Sequence, residues 1–311
     1  MSLKRIFASL IISIGLSAST YGQQQILNTQ YVFNRHLINP AYTGVGNTLK
    51  ASLLFRNQWK GIEGAPNTQA FSLHSPINYD NSFSLGGIII RDKIGVTTQT
   101  GVYMTASYAL QVSDETFISF GLQGGALTDR TNFSELDGYA NDPSLIAEDR
   151  TYVRPNFGAG IYIFDDRFHI GLSVPNLANQ KFEQFSTQEG SDINRFFYLD
   201  DGYVFFLNPQ WTLDLSTLLK VQPGDPVQFD INALVGVRQS IWFGTSYRSF
   251  ESFDLLFRLK IARDYYFSYS YDIATGPVAL SRVNTGSHEF NLQFGLSEIS
   301  KKINRRNAFR R

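Results

Sequence analysis

The chain contains no cysteine, which excludes disulfide scaffolds, thiolate metal sites and cysteine nucleophiles. It also lacks a second long apolar run. Ile6 to Leu16 is largely apolar, but such a stretch covers only about half of a bilayer core, and nothing downstream is long enough for a membrane helix. Helical periodicity of useful length is missing as well. Only helices and closed barrels satisfy every backbone group inside a bilayer, so a membrane-spanning version of this chain must be a barrel. An excess of one charge is also absent: 27 basic residues face 27 acidic ones. The ends distort that balance. Residues 23–296 carry 19 basic against 26 acidic residues, because six basic side chains (Lys301, Lys302, Arg305, Arg306, Arg310, Arg311) sit beyond Ser297. A mildly acidic body argues against nucleic acid as a partner.

What is present begins with a secretion pattern. Lys4 and Arg5 precede the apolar stretch, and small residues lead to Gln23, so residues 1–22 read as a signal peptide cleaved after Gly22. From Ala51 onward the chain alternates. In Val227-Gln228-Phe229-Asp230-Ile231-Asn232-Ala233 the apolar residues point one way and the polar ones the other. The same holds for Trp211–Lys220, Ser252–Ile261 and Ser287–Leu296. This predicts about fourteen strands: 51–58, 68–75, 83–91, 99–111, 116–127, 155–164, 167–174, 201–207, 210–220, 227–236, 240–248, 252–261, 265–271 and 287–295.

The connections sort by length. Those at 76–82, 112–115, 165–166, 208–209, 237–239 and 262–264 are tight, whereas 128–154, 175–200 and 272–286 fall in the other set. Short turns at one end, long loops at the other and an even strand count are the marks of a bacterial outer-membrane barrel. The expected architecture is therefore all-β: a transmembrane up-and-down antiparallel barrel over 51–296, with an N-terminal lead-in at 23–50 and a basic periplasmic tail at 297–311. Both termini are then expected in the periplasm, with the long loops outside.

The alternation assigns faces. Val102, Met104, Ala106, Tyr108 and Leu110 are expected toward lipid, and Tyr103, Thr105, Ser107 and Gln111 toward the lumen. Phe253, Leu255, Phe257, Leu259 and Ile261 face out, with Asp254, Arg258 and Lys260 inside; Arg56, Asp214, Asp230 and Glu289 are also assigned to the inner face. Tyr265, Phe267, Tyr269, Tyr271, Trp211 and Trp242 are candidates for interfacial aromatic girdles.

No catalytic constellation emerges. His36, His74, His169 and His288 are far apart, and none has metal-ligand spacing with another. Asp165-Asp166 reads as hairpin-turn residues, Gly44-Val45-Gly46 lacks a strand-then-helix context, and no serine has a nucleophile-elbow sequence around it. The expectation is a protein that is not an enzyme and uses no cofactor or metal.

The most distinctive stretch is the least strand-like. Gln30-Tyr31-Val32-Phe33-Asn34 leads into Leu37-Ile38-Asn39-Pro40-Ala41-Tyr42-Thr43-Gly44, followed by Arg56-Asn57-Gln58-Trp59-Lys60-Gly61 in the first hairpin. Asn39-Pro40 stops regular structure and Gly44 allows a turn. Such a lead-in either packs under or inside the barrel as a plug or contacts a periplasmic partner. Asn39, Pro40, Ala41, Tyr42, Gly44, Arg56, Asn57, Gln58 and Trp59 are the candidate contact residues.

These segments resemble the PorP/SprF family of Bacteroidota outer-membrane proteins, which belongs to the type IX secretion and gliding machinery. The resemblance extends through Asp92–Gly95, Phe120-Gly121-Leu122, Pro155–Gly160, Gly171–Pro175, Gly202–Phe205, Ser216–Lys220, Gly244–Arg248 and Gly286–Glu289. It implies one of two tasks. One branch assists export and surface attachment of a gliding adhesin, recognising the adhesin's C-terminal domain. The other is a structural part of the secretion machine that contacts periplasmic and lipoprotein subunits. A passive porin-like channel is a third class. The implied partners are the secreted adhesin, type IX secretion components and outer-membrane lipids. The outer loops 128–154 and 175–200 are the expected docking surface, made acidic by Asp137, Asp142, Glu148, Asp149, Glu183, Glu189 and Asp192.

Overall fold

The computed structural model describes residues 28–296, apart from 79, 136–148, 178–179, 183–190, 194, 224, 250 and 276–285. The proposed signal peptide and the basic tail lie outside the described residues.

Fourteen antiparallel strands close into one barrel. In chain order they are β1 (Leu49–Asn57), β2 (Asn67–Pro76), β3 (Phe83–Ile94), β4 (Thr97–Gln111), β5 (Phe117–Thr131), β6 (Arg150–Phe164), β7 (Phe168–Val174), β10 (Phe197–Asn208), β11 (Trp211–Val221), β12 (Gln228–Val237), β13 (Ile241–Arg248), β14 (Ser252–Ala262), β15 (Tyr265–Ala274) and β16 (Ser287–Leu296). β8 (Gln180–Phe182) and β9 (Ser191–Ile193) pair with each other inside the connection from β7 to β10. Closure is made by β1 on β16, from Leu49 opposite Leu296 to Asn57 opposite His288. It leaves no sheet edge along the wall, as a barrel in hydrocarbon requires.

Each predicted strand is present, several with longer ends. β5 runs to Thr131 and β6 starts at Arg150, so both ends of the stretch expected as a loop at 128–154, residues 128–131 and 150–154, are paired strand. Arg154 and Asp129 stand opposite Leu127 and Tyr152 across this extension and form an ion pair. That pairing of charges explains why a polar sequence continues as strand. β7 ends early: Ala159 of β6 is its partner for Val174, and β6 continues past it toward the loops.

The faces follow the alternation. Met104 is 72% exposed, and Val102, Tyr108 and Leu110 are exposed beside it, whereas Thr105 and Ser107 are buried. Phe253, Leu255 and Phe257 are exposed; Asp254 is fully buried. Tyr265 and Trp211 face outward as girdle residues should. Trp242 does not. It stands opposite Arg258 across β13 and β14, on the inner face, with the Arg258 guanidinium 5.6 Å from its ring centre. Strand parity sets that face, since Ile241 and Phe243 on either side are exposed, and the stacked guanidinium gives the indole an electrostatic partner there.

The two ends of the barrel differ. Connections 77–82, 112–116, 165–167, 209–210, 238–240 and 263–264 lie at one mouth, the turn mouth. Connections 132–149, 175–196 and 275–286 lie at the other, the loop mouth, with the shorter 58–66, 95–96, 222–227 and 249–251.

Candidate functional site

The lumen holds the segment from Asn28 to Gly44. Three single turns of 3-10 helix shape it: Thr29–Val32, Arg35–Leu37 and Pro40–Tyr42. Short turns of this kind suit a sequence broken by Asn34 and Asn39-Pro40, since Asn39 is extended and its side chain accepts from the Ala41 N–H at 2.9 Å as a cap. Nearly every residue from Asn28 to Gly44 is buried. Tyr31, Val32, Phe33 and Ile38 join Tyr198, Leu218, Leu234 and Leu256 of the wall, and Phe196 just before β10, in one apolar cluster, so the plug builds a hydrophobic core on the side of β10 to β14.

At its first end the plug is held by charge. The backbone N–H groups of Thr29 and Gln30 donate to the two Glu289 oxygens at 2.9 and 3.0 Å, and the Thr29 hydroxyl donates to Asp272. Arg56 bridges the same two carboxylates, 2.7 Å from each, with all three side chains at most 3% exposed. A buried ion group of this sort adds little net stability, but removing one member strands the others at a cost of about 3–5 kcal/mol. It is a registering device. Beside it Arg248 pairs with Asp230, and the Asn232 amide donates to the Tyr31 hydroxyl at 2.9 Å.

Along its length the segment bonds to the wall on many sides. Asn34 donates to Ser72 on β2, and Gln293 on β16 donates to the Phe33 carbonyl. Arg35 lies 3.4 Å from Asp200 on β10, and Ser173 on β7 donates to the Ile38 carbonyl. At the second end Ser107 on β4 donates to the Thr43 carbonyl at 2.6 Å, and the Gly44 N–H donates to His74 at 2.9 Å. Gly44 has φ +82°, and a Cβ there would overlap Ser84, so glycine is required twice over.

The Asn39-Pro40-Ala41 turn has a matching seat. Gly121 on β5 and Gly160 on β6 are directly paired, and Gly171 on β7 is one strand further. A Cβ on Gly121 would overlap the Pro40–Ala41 peptide; one on Gly160 or Gly171 would overlap the Asn39 amide, and on Gly171 also Asp200. Their bare backbone lets the turn lie against the wall, where Asn39 donates to the Ile161 carbonyl at 3.2 Å. Sequence reasoning quoted these glycines without a role. Their signal was legible in retrospect, as inward positions of three neighbouring strands with no side chain.

The nine candidate residues thus divide. Asn39, Pro40, Ala41, Tyr42 and Gly44 meet the wall in the half near the turn mouth. Tyr42 packs edge-on against His74 and Tyr162, with the Lys50 amine 5.8 Å from its ring centre. Arg56 belongs to the charge group at the other end. Asn57, Gln58 and Trp59 follow it onto the rim of the loop mouth. Asn57 is exposed, Gln58 is buried with its N–H on the Pro66 carbonyl, and Trp59 adopts φ +48°. Left-handed backbone is uncommon for a bulky aromatic; here the Trp59 N–H donates to Ser287 and the Lys60 N–H to the Gly286 carbonyl, which hold the turn. The structure does not bring this rim triplet and the Asn39 turn together.

His36 and His74 do come together, with ring centres 4.8 Å apart, but His36 bonds to Thr105 and His74 to Gly44. Among the described residues no three His, Cys, Asp or Glu side chains are grouped as for a metal ion. Of the expected acidic loop residues, Asp149 receives Ser134. Asp137, Asp142, Glu148, Glu183 and Glu189 lie outside the described residues, and Asp192 is within β9.

No curated protein matches the chain by sequence. Among solved structures it is similar to a Pseudomonas aeruginosa FadL homologue, at 13% identity and TM-score 0.48, covering 88% of this chain and 94% of that one. It is also similar to the Ralstonia pickettii toluene transporter TbuX, at 10% identity and TM-score 0.49, covering 84% and 92%. The model of one protein family, described as type IX secretion system membrane protein PorP/SprF, matches residues 20–294. With a closed barrel whose outer wall is apolar and whose motif segments form the plug and rim, the chain belongs to the PorP/SprF family of type IX secretion system outer-membrane barrels.

Proposed function

We propose that this barrel assists the export and cell-surface attachment of a partner protein, such as a gliding adhesin or its C-terminal domain, by docking it at the loop mouth. The observation that carries this reading is the filled lumen. A segment bonded to strands on many sides of the wall leaves the rim, not the pore, as the surface for a polypeptide. The long connections 132–149 and 175–196 open at the same mouth as Trp59, on other parts of its circumference. In this reading the long loops face outward, residues 1–22 are the secretion signal, the basic tail is periplasmic, and Asn57 and Trp59 supply rim contacts, with the buried Gln58 supporting their turn, while Asn39–Gly44 hold the plug in place.

A second reading, a structural subunit that contacts periplasmic or lipoprotein components, is favoured by one feature: Gly46 and Asn47 emerge exposed where the plug leaves the wall at the turn mouth. The experiment that separates them is co-purification of the tagged protein from outer membrane, with and without residues 183–190. Loss of a secreted surface protein on deletion, in a barrel that still shows heat-modifiable mobility, supports rim docking. Unchanged recovery of periplasmic subunits alone favours the second reading. Steady open-channel current in planar bilayers would instead point to a passive porin.

A further inference from the structure

The plug has a direction, and it runs opposite to the first wall strand. β1 starts at the turn mouth, where Leu49 pairs with Leu296, the last residue of β16, and ends at the loop mouth with Asn57. Thr29 and Gln30 are bonded to Glu289, which stands opposite Arg56, one residue short of the loop end of β1. Gly44 is bonded to His74, which stands opposite Lys50, one residue from the turn end. Between those two levels β1 rises about 20 Å along the strand at ~3.3 Å per residue, or roughly 15 Å along the barrel axis for strands tilted ~40°. The chain therefore passes lengthwise through its own lumen, from loop mouth to turn mouth, before the wall begins.

From this we infer that the chain enters its barrel from the loop mouth, so that its N-terminal end lies on the side of the long loops and its last strand ends on the opposite side. An even strand number places both ends of the wall at the turn mouth, but the plug carries the start of the chain across. On the side of β10 to β14 the lumen is filled by the cluster of Tyr31, Val32, Phe33 and Ile38 on Tyr198, Leu218, Leu234 and Leu256, so a return path there would have to displace it. Cleavage after Gly22 leaves five residues ahead of Asn28, a reach of at most about 17 Å even when fully extended.

The absence of cysteine makes the test free of background. Three single-cysteine variants of the full chain are compared in intact and permeabilised cells with a membrane-impermeant maleimide. Glu135→Cys reports the loop mouth and Asp80→Cys the turn mouth, both positions being exposed; Gln25→Cys reports the start of the chain. Heat-modifiable mobility confirms that each is folded, and an epitope placed directly after Gly22 and probed with antibody gives a second readout of the same end. The expected result is that Gln25→Cys follows Glu135→Cys, with several-fold more label in intact cells than Asp80→Cys. Label on Gln25→Cys that follows Asp80→Cys, or no label on it and no antibody binding in either preparation, overturns the inference. If Asp80→Cys is the variant labelled in intact cells, the outward orientation of the loops fails instead, and the inference is still decided by which control Gln25→Cys follows.

Discussion

The inner and outer faces of the same strands are held to different standards. On β4, Val102, Met104 and Tyr108 are exposed to the hydrocarbon side, where any apolar side chain meets an apolar medium. One residue away on the same strand, Thr105 and Ser107 are buried and each bonds a particular atom of the plug. The outer face is specified by transfer energy alone, and the inner face by shape and by individual hydrogen bonds. Neighbouring positions in the sequence thus carry unrelated constraints, because a strand turns alternate side chains to opposite faces.

That contrast is open to attack by substitution, with stability followed by urea unfolding of the barrel in detergent or lipid vesicles. The largest effect is expected from Arg56→Met, which leaves Asp272 and Glu289 buried without their cation: a loss of about 3–5 kcal/mol. A loss below ~1 kcal/mol would mean that the charge group does not anchor the plug. Next, Met104→Lys on the outer face should cost about 2–4 kcal/mol, as a charge near the bilayer midplane does, with a much smaller effect in detergent than in vesicles. An equal effect in both would argue that Met104 does not face lipid. Gly160→Val should cost about 1–3 kcal/mol, because the new side chain and the Asn39 amide claim one space; combining it with Asn39→Ala should cost less than the sum, since both act on one contact. Full additivity would separate the turn from its seat. Asn39→Ala alone should cost about 1–3 kcal/mol through the hydrogen-bond partners it strands. Smallest is Met104→Leu, expected within about 0.5 kcal/mol; a larger change would show that the outer face is specifically packed.

Much of the wall was legible from the residues. Alternation over Ser252–Ile261 placed Asp254 inside and Phe257 outside, and both are there. Loop lengths separated the two mouths. Strand ends were less legible, since Asp129 and Arg154 look like loop residues until they are seen to pair across β5 and β6. Trp242 was misassigned to a girdle on its aromatic character, although the outward Ile241 and Phe243 on either side of it already place it on the inner face, opposite Arg258. The site was legible only as motifs. Asn39-Pro40-Ala41 and Gly121, Gly160 and Gly171 each stood out, but their fit is between segments about 80 to 130 residues apart.

By itself the sequence determined the number of wall strands and the sidedness of each, because those depend on the period of a local pattern; it did not show the small β8–β9 hairpin within the expected loop. The tertiary structure decided what fills the barrel, which glycines seat it and the direction in which the first residues cross it. Those depend on which distant side chains share one space, and a period of two says nothing about that.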